Sequence, residues 1–197
     1  MTREFLQEVA PEKAYRVFNI GATCLVSAAF DGKEGMMPAA WNCPLDLAPF
    51  KATVVVDKTH YTRPLIESAE CFGLALPSVS IARETLFLGS HSQCDMPDKF
   101  EKSGAKFFKL EGFDMPFVDG CVAYAVFKRL EEPDMQARYD LFFGQCVALY
   151  ADTRVFKDGH YVYGDAREDL RTIHYVAGGH FYVLGREYNL HEFDALG

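Results

Sequence analysis

Two long apolar runs, Cys121–Leu130 and Tyr139–Tyr150, follow each other closely in this 197-residue chain. Each is about ten residues, long for a strand. In the second, Leu141, Phe143, Val147 and Leu149 share one face by period two. Between them lies Glu132-Pro133-Asp134, which reads as a turn. Consecutive long strands with so short a connection pair antiparallel. The chain is therefore committed to an antiparallel β core.

The rest of the sequence adds shorter pieces to that core. Thr23–Ala29 reads as a strand, Asp31-Gly32-Lys33 as a turn, and Met36–Asn42 as the partner strand of a hairpin. Thr53–Asp57 is a β-branched run suited to a buried strand. Thr62 is placed to cap a helix that has Pro64 in its first turn. Cys71–Leu76 is a strand stopped by Pro77, and Ser80–Leu88 has helical spacing. Asp95 and Asp98 bracket Pro97 at the start of a short helix that runs to Lys102 and stops at Gly104. Phe107–Leu110, Val155-Phe156, Tyr161–Tyr163 and Phe181–Leu184 read as short strands, and Asp165–Arg171 as a short helix. Few helices among many strands point to an antiparallel β-barrel carrying helices on its outside. Closure removes the exposed edges such an apolar chain would otherwise present.

Composition narrows the function. A 49% hydrophobic fraction with 24% charged residues is that of a globular domain, and the length suits a single one, 1–197. A net charge of −8 excludes a binder of nucleic-acid backbones. No stretch is long and apolar enough to span a bilayer, and the start has no apolar core of a signal peptide. The expected location is cytoplasmic and away from membranes. Cys24, Cys43, Cys71, Cys94, Cys121 and Cys146 are spread without a CxxC, so they read as mostly buried apolar side chains. The six histidines, His191 among them, show no ligand spacing, so no metal site is expected.

Three segments carry polar groups that suit a ligand. Lys58-Thr59-His60-Tyr61-Thr62-Arg63 follows a buried strand and opens a helix. From Lys51 to Arg63 there are three basic residues against one acid, Asp57. Hydroxyls and cations at a strand's end suit a phosphate monoester; a solvated turn is the alternative. Ala39-Ala40-Trp41-Asn42-Cys43 has small residues that let a flat ligand approach the backbone, and Asn42 offers an amide donor and acceptor. Trp41, the only tryptophan, suits either that slot or the core. Gly89-Ser90-His91-Ser92, with Asp98-Lys99-Phe100 beyond it, is a polar loop between two helices.

In order, MPAAWNCPLDLAPFKATVVV, KTHYTRPLIESAECFGLALP, LFLGSHSQCDMPDKF, MPFVDGCVAYAVFKRLE with YDLFFGQCVAL, and RTIHYVAGGHFYVLG resemble the flavin reductase-like, FMN-binding split-barrel family, flavoredoxin included. The likeness runs from about Tyr15 to Leu184. It implies a mainly β fold: a six-stranded antiparallel split β-barrel with a few short flanking helices, paired as a homodimer. FMN is the implied cofactor. Lys58, Thr59, His60 and Thr62, with Arg63 beside them, would hold its phosphate. Ala39, Ala40, Trp41, Asn42 and Cys43 would lie along the ring, and Ser90, Ser92 and Lys99 near the cofactor. Two positions depart from the family's pattern. Gln93 stands where a glycine often follows the second serine, and Arg138-Tyr139-Asp140 replaces a Gly-Asp-His triplet linked in some members to nicotinamide turnover.

The resemblance implies an FMN-dependent oxidoreductase passing electrons from NADH or NADPH to an acceptor, with no essential acid–base residue of its own because the flavin supplies the chemistry. Three other readings stand beside it: a flavoredoxin-like carrier reduced by a protein, a non-redox barrel binding a phosphorylated ligand, and a thiol reductase using Cys43.

Overall fold

The computed structural model describes residues 3–14, 17, 23–164 and 167–188. Along the chain the strands are β1 (Leu6–Glu8), β2 (Cys24–Phe30), β3 (Lys33–Ala39), β4 (Asn42–Leu47), β5 (Phe50–Val55), β6 (Cys71–Pro77), β7 (Phe107–Phe108), β8 (Phe117–Val118), β9 (Cys121–Leu130), β10 (Leu141–Asp152), β11 (Phe156–Lys157), β12 (His160–Tyr161), β13 (Ile173–Ala177) and β14 (His180–Val183). Four α-helices lie wholly within the described residues: α1 (Thr62–Ser68), α2 (Ala82–Ser90), α3 (Lys99–Ser103) and α4 (Pro133–Tyr139).

The main sheet runs β3-β2-β6-β9-β10-β5-β4, and β1 pairs with the far end of β10. Every pairing is antiparallel. The end strands β3 and β4 are consecutive in the chain, joined only by Ala40-Trp41. The two edges of the sheet therefore meet at that connection, which makes the sheet a split barrel. It holds eight strands rather than the expected six.

Burial explains why the central strands lack simple alternation. In β9 Cys121–Phe127 are buried without a break. One face, with Val122, Ala123 and Ala125, joins the barrel interior beside Phe72, Leu74 and Phe142. The other, with Cys121, Tyr124 and Val126, packs under α2 and the 105–118 segment through Leu88, Met115 and Phe117. Strands covered on both faces read as continuous apolar runs.

Several local expectations change. Met36–Asn42 is not one strand: β3 ends at Ala39 and Asn42 begins β4, which pairs with β5. Glu132-Pro133-Asp134 opens helix α4 instead of a turn, with Pro133 at the first helical position, where its missing N–H costs nothing. Tyr139 thus ends a helix, and the last long strand starts at Leu141. Thr62 is the first residue of α1 and caps nothing with its side chain; the cap position is Tyr61. A 3-10 turn at Glu168–Leu170 replaces the helix expected at Asp165–Arg171; Asp165 and His191 lie outside the described residues. The tail forms two strands, β13 and β14, around Gly178 and Gly179. Both glycines have positive φ (58° and 82°), the backbone that a tight hairpin needs.

Of the cysteines, Cys24 and Cys121 are buried, Cys71 and Cys146 half-buried, and Cys43 and Cys94 exposed, all unpaired. Burial pushes the Cys24 and Cys146 thiols up to about 12.

Candidate functional site

Two cavities lie side by side next to the β3–β4 connection. The larger, about 610 Å³, runs along Met37–Trp41 and faces Thr85 and Leu86 of α2 on one side and His174–Val176 with Phe181 of the tail hairpin on another. The smaller, about 340 Å³, is lined by Thr59, His60, Thr62, Ser90, Ser92 and Lys99, with Gln93 and Asp95. Met37, Pro38, Gly89 and Ser90 line both. The ridge between them needs a glycine: a Cβ at position 89 would fall 2.7 Å from Pro38 Cγ, so any side chain there would push α2 off β3.

The halves differ in chemistry. The larger is walled by small and aromatic groups, with Tyr175 and Phe181 tilted at 5.2 Å between ring centroids. Its buried Thr85 Oγ1 has no hydrogen-bond partner among the described residues. The smaller holds a buried ammonium. Lys99 is 3% exposed and donates from Nζ to the Met36 carbonyl at 2.8 Å. Burial pulls its pKa down to about 8. Gln93 donates from Nε2 to the Glu34 carbonyl at 2.9 Å, while its buried Oε1 has no partner among the described residues. An orphaned buried polar atom in each half is costly in isolation and is relieved by a ligand that bonds it.

The loop leaving β5 shapes the smaller cavity. Asp57 Oδ1 accepts from the Thr59 amide at 2.8 Å and from the Thr59 hydroxyl at 2.6 Å. These bonds from Thr59 hold the Asp57 carboxyl below its ordinary value. His60 Nδ1 lies 3.2 Å from the Asp57 carbonyl, and the His60 amide also donates to that carbonyl. Ser92 Oγ accepts from the Cys94 amide, and Ser90 Oγ donates to the Leu86 carbonyl.

Of the residues singled out from the sequence, Thr59, His60, Thr62, Ser90, Ser92 and Lys99 gather around the smaller cavity, and Ala39, Ala40 and Trp41 line the larger. Trp41 is no core anchor; it is 75% exposed, at the cavity's rim. Lys58 is exposed and lines neither cavity. Asn42 donates to the Ala39 carbonyl at 3.4 Å and Cys43 Sγ points to the Pro44 carbonyl at 3.1 Å, both outside the lining. Arg63 is also outside it, 7% exposed and bonded in four directions within the protein. The residues not foreseen are Thr85, Gln93, His174, Tyr175 and Phe181. The Gly178-Gly179 pair was the available signal for the hairpin; nothing local marks Thr85.

An apolar slot joined to a cationic, hydroxyl-lined pocket suits one ligand with a flat ring at one end and an anion at the other.

Residues 19–171 match the family described as "Flavin reductase like domain". A protein of Escherichia coli, YddH, described as uncharacterized, is 34% identical over 177 residues, which is 88% of this chain and 92% of its own. The FMN-binding domain of a flavin reductases-like enzyme from Shewanella baltica superposes with a TM-score of 0.91 at 42% identity, covering 93% of this chain and 96% of its own. The flavoredoxin of Desulfovibrio vulgaris shares the fold at 21% identity and a TM-score of 0.73, covering 90% and 93%. With most of its length matched in sequence and in structure, the chain belongs to the flavin reductase-like family.

Proposed function

We propose that this chain is a single split-barrel domain that binds FMN, with the phosphate in the smaller cavity and the ring in the larger, and acts as an oxidoreductase. The observation that carries the reading is the joined pair of cavities with a buried ammonium, Lys99, at one end and the orphaned Thr85 hydroxyl at the other. Thr59, His60, Thr62, Ser90, Ser92 and Lys99 are assigned to the phosphate half. Lys58 adds long-range attraction from the loop, since it is exposed. Ala39, Ala40 and Trp41 flank the ring, while Asn42 and Cys43 continue the chain into β4, outside the lining.

When bound, FMN supplies hydride and electron transfer. The protein's own residues bind, orient and shield. Lys99, already desolvated, meets an anion without the cost of stripping its own water. Tyr175, Val176 and Phe181 exclude water from the ring's side of the slot. Thr85 Oγ1 offers the ring edge one hydrogen bond.

The assigned reaction is reduction by NADH or NADPH and passage of electrons to an acceptor. A flavoredoxin-like carrier reduced by a protein is the second reading. It is favoured by one observation: Asp140, in the segment that replaces the Gly-Asp-His triplet, is ion-paired to Arg63 at 2.7 Å. Six unpaired cysteines accord with a cytoplasmic, reducing setting.

Titration with FMN tests the reading, because Trp41 lines the larger cavity and is the chain's only tryptophan. Saturable quenching of both Trp41 and flavin emission at one FMN per chain is expected. Riboflavin, which lacks only the phosphate, should bind more weakly, as should lumiflavin, which lacks the ribityl chain too. No quenching of either emission would move the protein to a non-redox barrel. Anaerobic bleaching of the bound flavin by NADH or NADPH then separates a reductase from a carrier.

A further inference from the structure

Arg63 is buried beside the loop that shapes the smaller cavity, yet it lines neither cavity. Its Nη1 donates to the Val56 carbonyl and to Asp140 Oδ1, both at 2.7 Å. Nη2 donates to the Gln136 carbonyl at 3.1 Å, and Nε to Glu67 Oε1 at 2.6 Å. The guanidinium also lies 4.8 Å from the centre of the Phe142 ring. Two carboxylates at hydrogen-bond distance already compensate its charge, so Arg63 adds little net attraction for an anion next door.

Its contacts do something else. Val56 is the last residue before the loop, and the Arg63 amide donates to His60 within it, at 3.1 Å. The side chain thus ties the loop's exit to its entrance. Both are then tied to Asp140, 77 positions away. The Val56 amide donates to the Asp140 carbonyl at 2.9 Å, so residue 140 grips the entrance through its backbone as well. Asp140 itself has a left-handed backbone, φ 55°, between α4 and β10. The loop is therefore clamped at both ends to one point on the barrel.

We propose that the Arg63–Asp140 pair is a positioning device for the anion-binding loop Asp57–Thr62. It sets affinity for a ligand's phosphate monoester without touching the ligand. The inference rests on the FMN reading above. It also gives Arg63 a role other than direct phosphate contact.

The test compares FMN with riboflavin, which differs only in the phosphate, and with lumiflavin, in wild type, Asp140→Asn and Arg63→Lys. Asparagine tolerates the left-handed backbone, so Asp140→Asn removes charge with little strain. Lysine keeps the charge of Arg63 but cannot reach several acceptors at once. Each variant should weaken FMN binding by about tenfold, the scale of a lost charge-assisted bond, while riboflavin and lumiflavin affinities stay within about twofold. Glu67→Gln removes the other ion pair without a loop contact and should leave the FMN-to-riboflavin ratio as in wild type. A general loss of stability would weaken all three ligands together. An unchanged ratio in whichever of the two variants folds overturns the proposal. If wild type itself binds FMN no better than riboflavin, the phosphate assignment fails instead, and the two failures are separate.

Discussion

Lys99 is a cation held almost wholly out of water, at 3% exposure. Its ammonium is buried, holds the Met36 carbonyl, and sits in none of the ion pairs among the described residues. With its pKa pulled down from 10.5 to about 8, two opposite pH effects follow. Between about 8 and 10.5 the folded protein has released this proton and the unfolded chain still holds it, so stability without ligand gains as pH rises. An anion needs the charged form, so FMN affinity should fall as pH climbs through about 8. Titrations from pH 6.5 to 9 check this, with Lys99→Met expected to bind weakly at every pH and to lose the slope. A wild-type affinity flat across that range would refute the assignment. At this scale the sequence revealed residue types but not directions. The hydroxyls and cations of Lys58–Arg63 were legible as a polar loop at a strand's end. Which cation faces the cavity is decided by tertiary contacts: Lys99 faces it, Arg63 is held by Asp140 and Glu67, and no local pattern separates them.

The β13–β14 hairpin supplies one wall of the larger cavity through His174–Val176 and Phe181. It is a separate two-stranded sheet, anchored where the Tyr175 amide donates to Thr23 Oγ1 at 2.8 Å and the Thr23 amide to the Ile173 carbonyl at 3.0 Å. Phe181→Ala removes one aromatic wall while leaving the main sheet intact. It should weaken FMN and lumiflavin by the same factor, about fivefold for a lost aromatic contact of ~1 kcal/mol. Paired titrations decide it; loss confined to FMN would mean that the hairpin does not face the ring. The long strands β9 and β10 were plain in the sequence because length and periodicity agree. Strand β4 was not, because Pro44 and the bulge between Pro44 and Asp46 break its alternation. Helix α4 was hidden because Glu-Pro-Asp is equally good as a turn and as a helix start.

Across the whole molecule, the sheet ends in an edge strand that carries exposed Leu45 and Leu47 (53% and 58%), next to Trp41 at the rim of the larger cavity. An apolar edge of this kind is normally covered, and a second copy of the chain is the occupant the family resemblance implies. We expect a dimer at micromolar concentration by sedimentation equilibrium. Leu45→Glu with Leu47→Glu should give monomers with weakened flavin binding; a monomeric wild type would remove the idea. The antiparallel barrel was legible in outline because nearly every strand carries its own pattern. The eighth strand was not, because β1 has only three residues and is specified by its partner, not by its own sequence.

That partner is the end of β10. Leu6, Gln7 and Glu8 pair with Asp152, Ala151 and Tyr150, and Gln7 bonds the Phe156 carbonyl 149 positions away. Closing so long a loop is entropically costly until the intervening barrel exists. Strand β1 is therefore among the last to dock: it has no place to bind until β10 stands in the barrel.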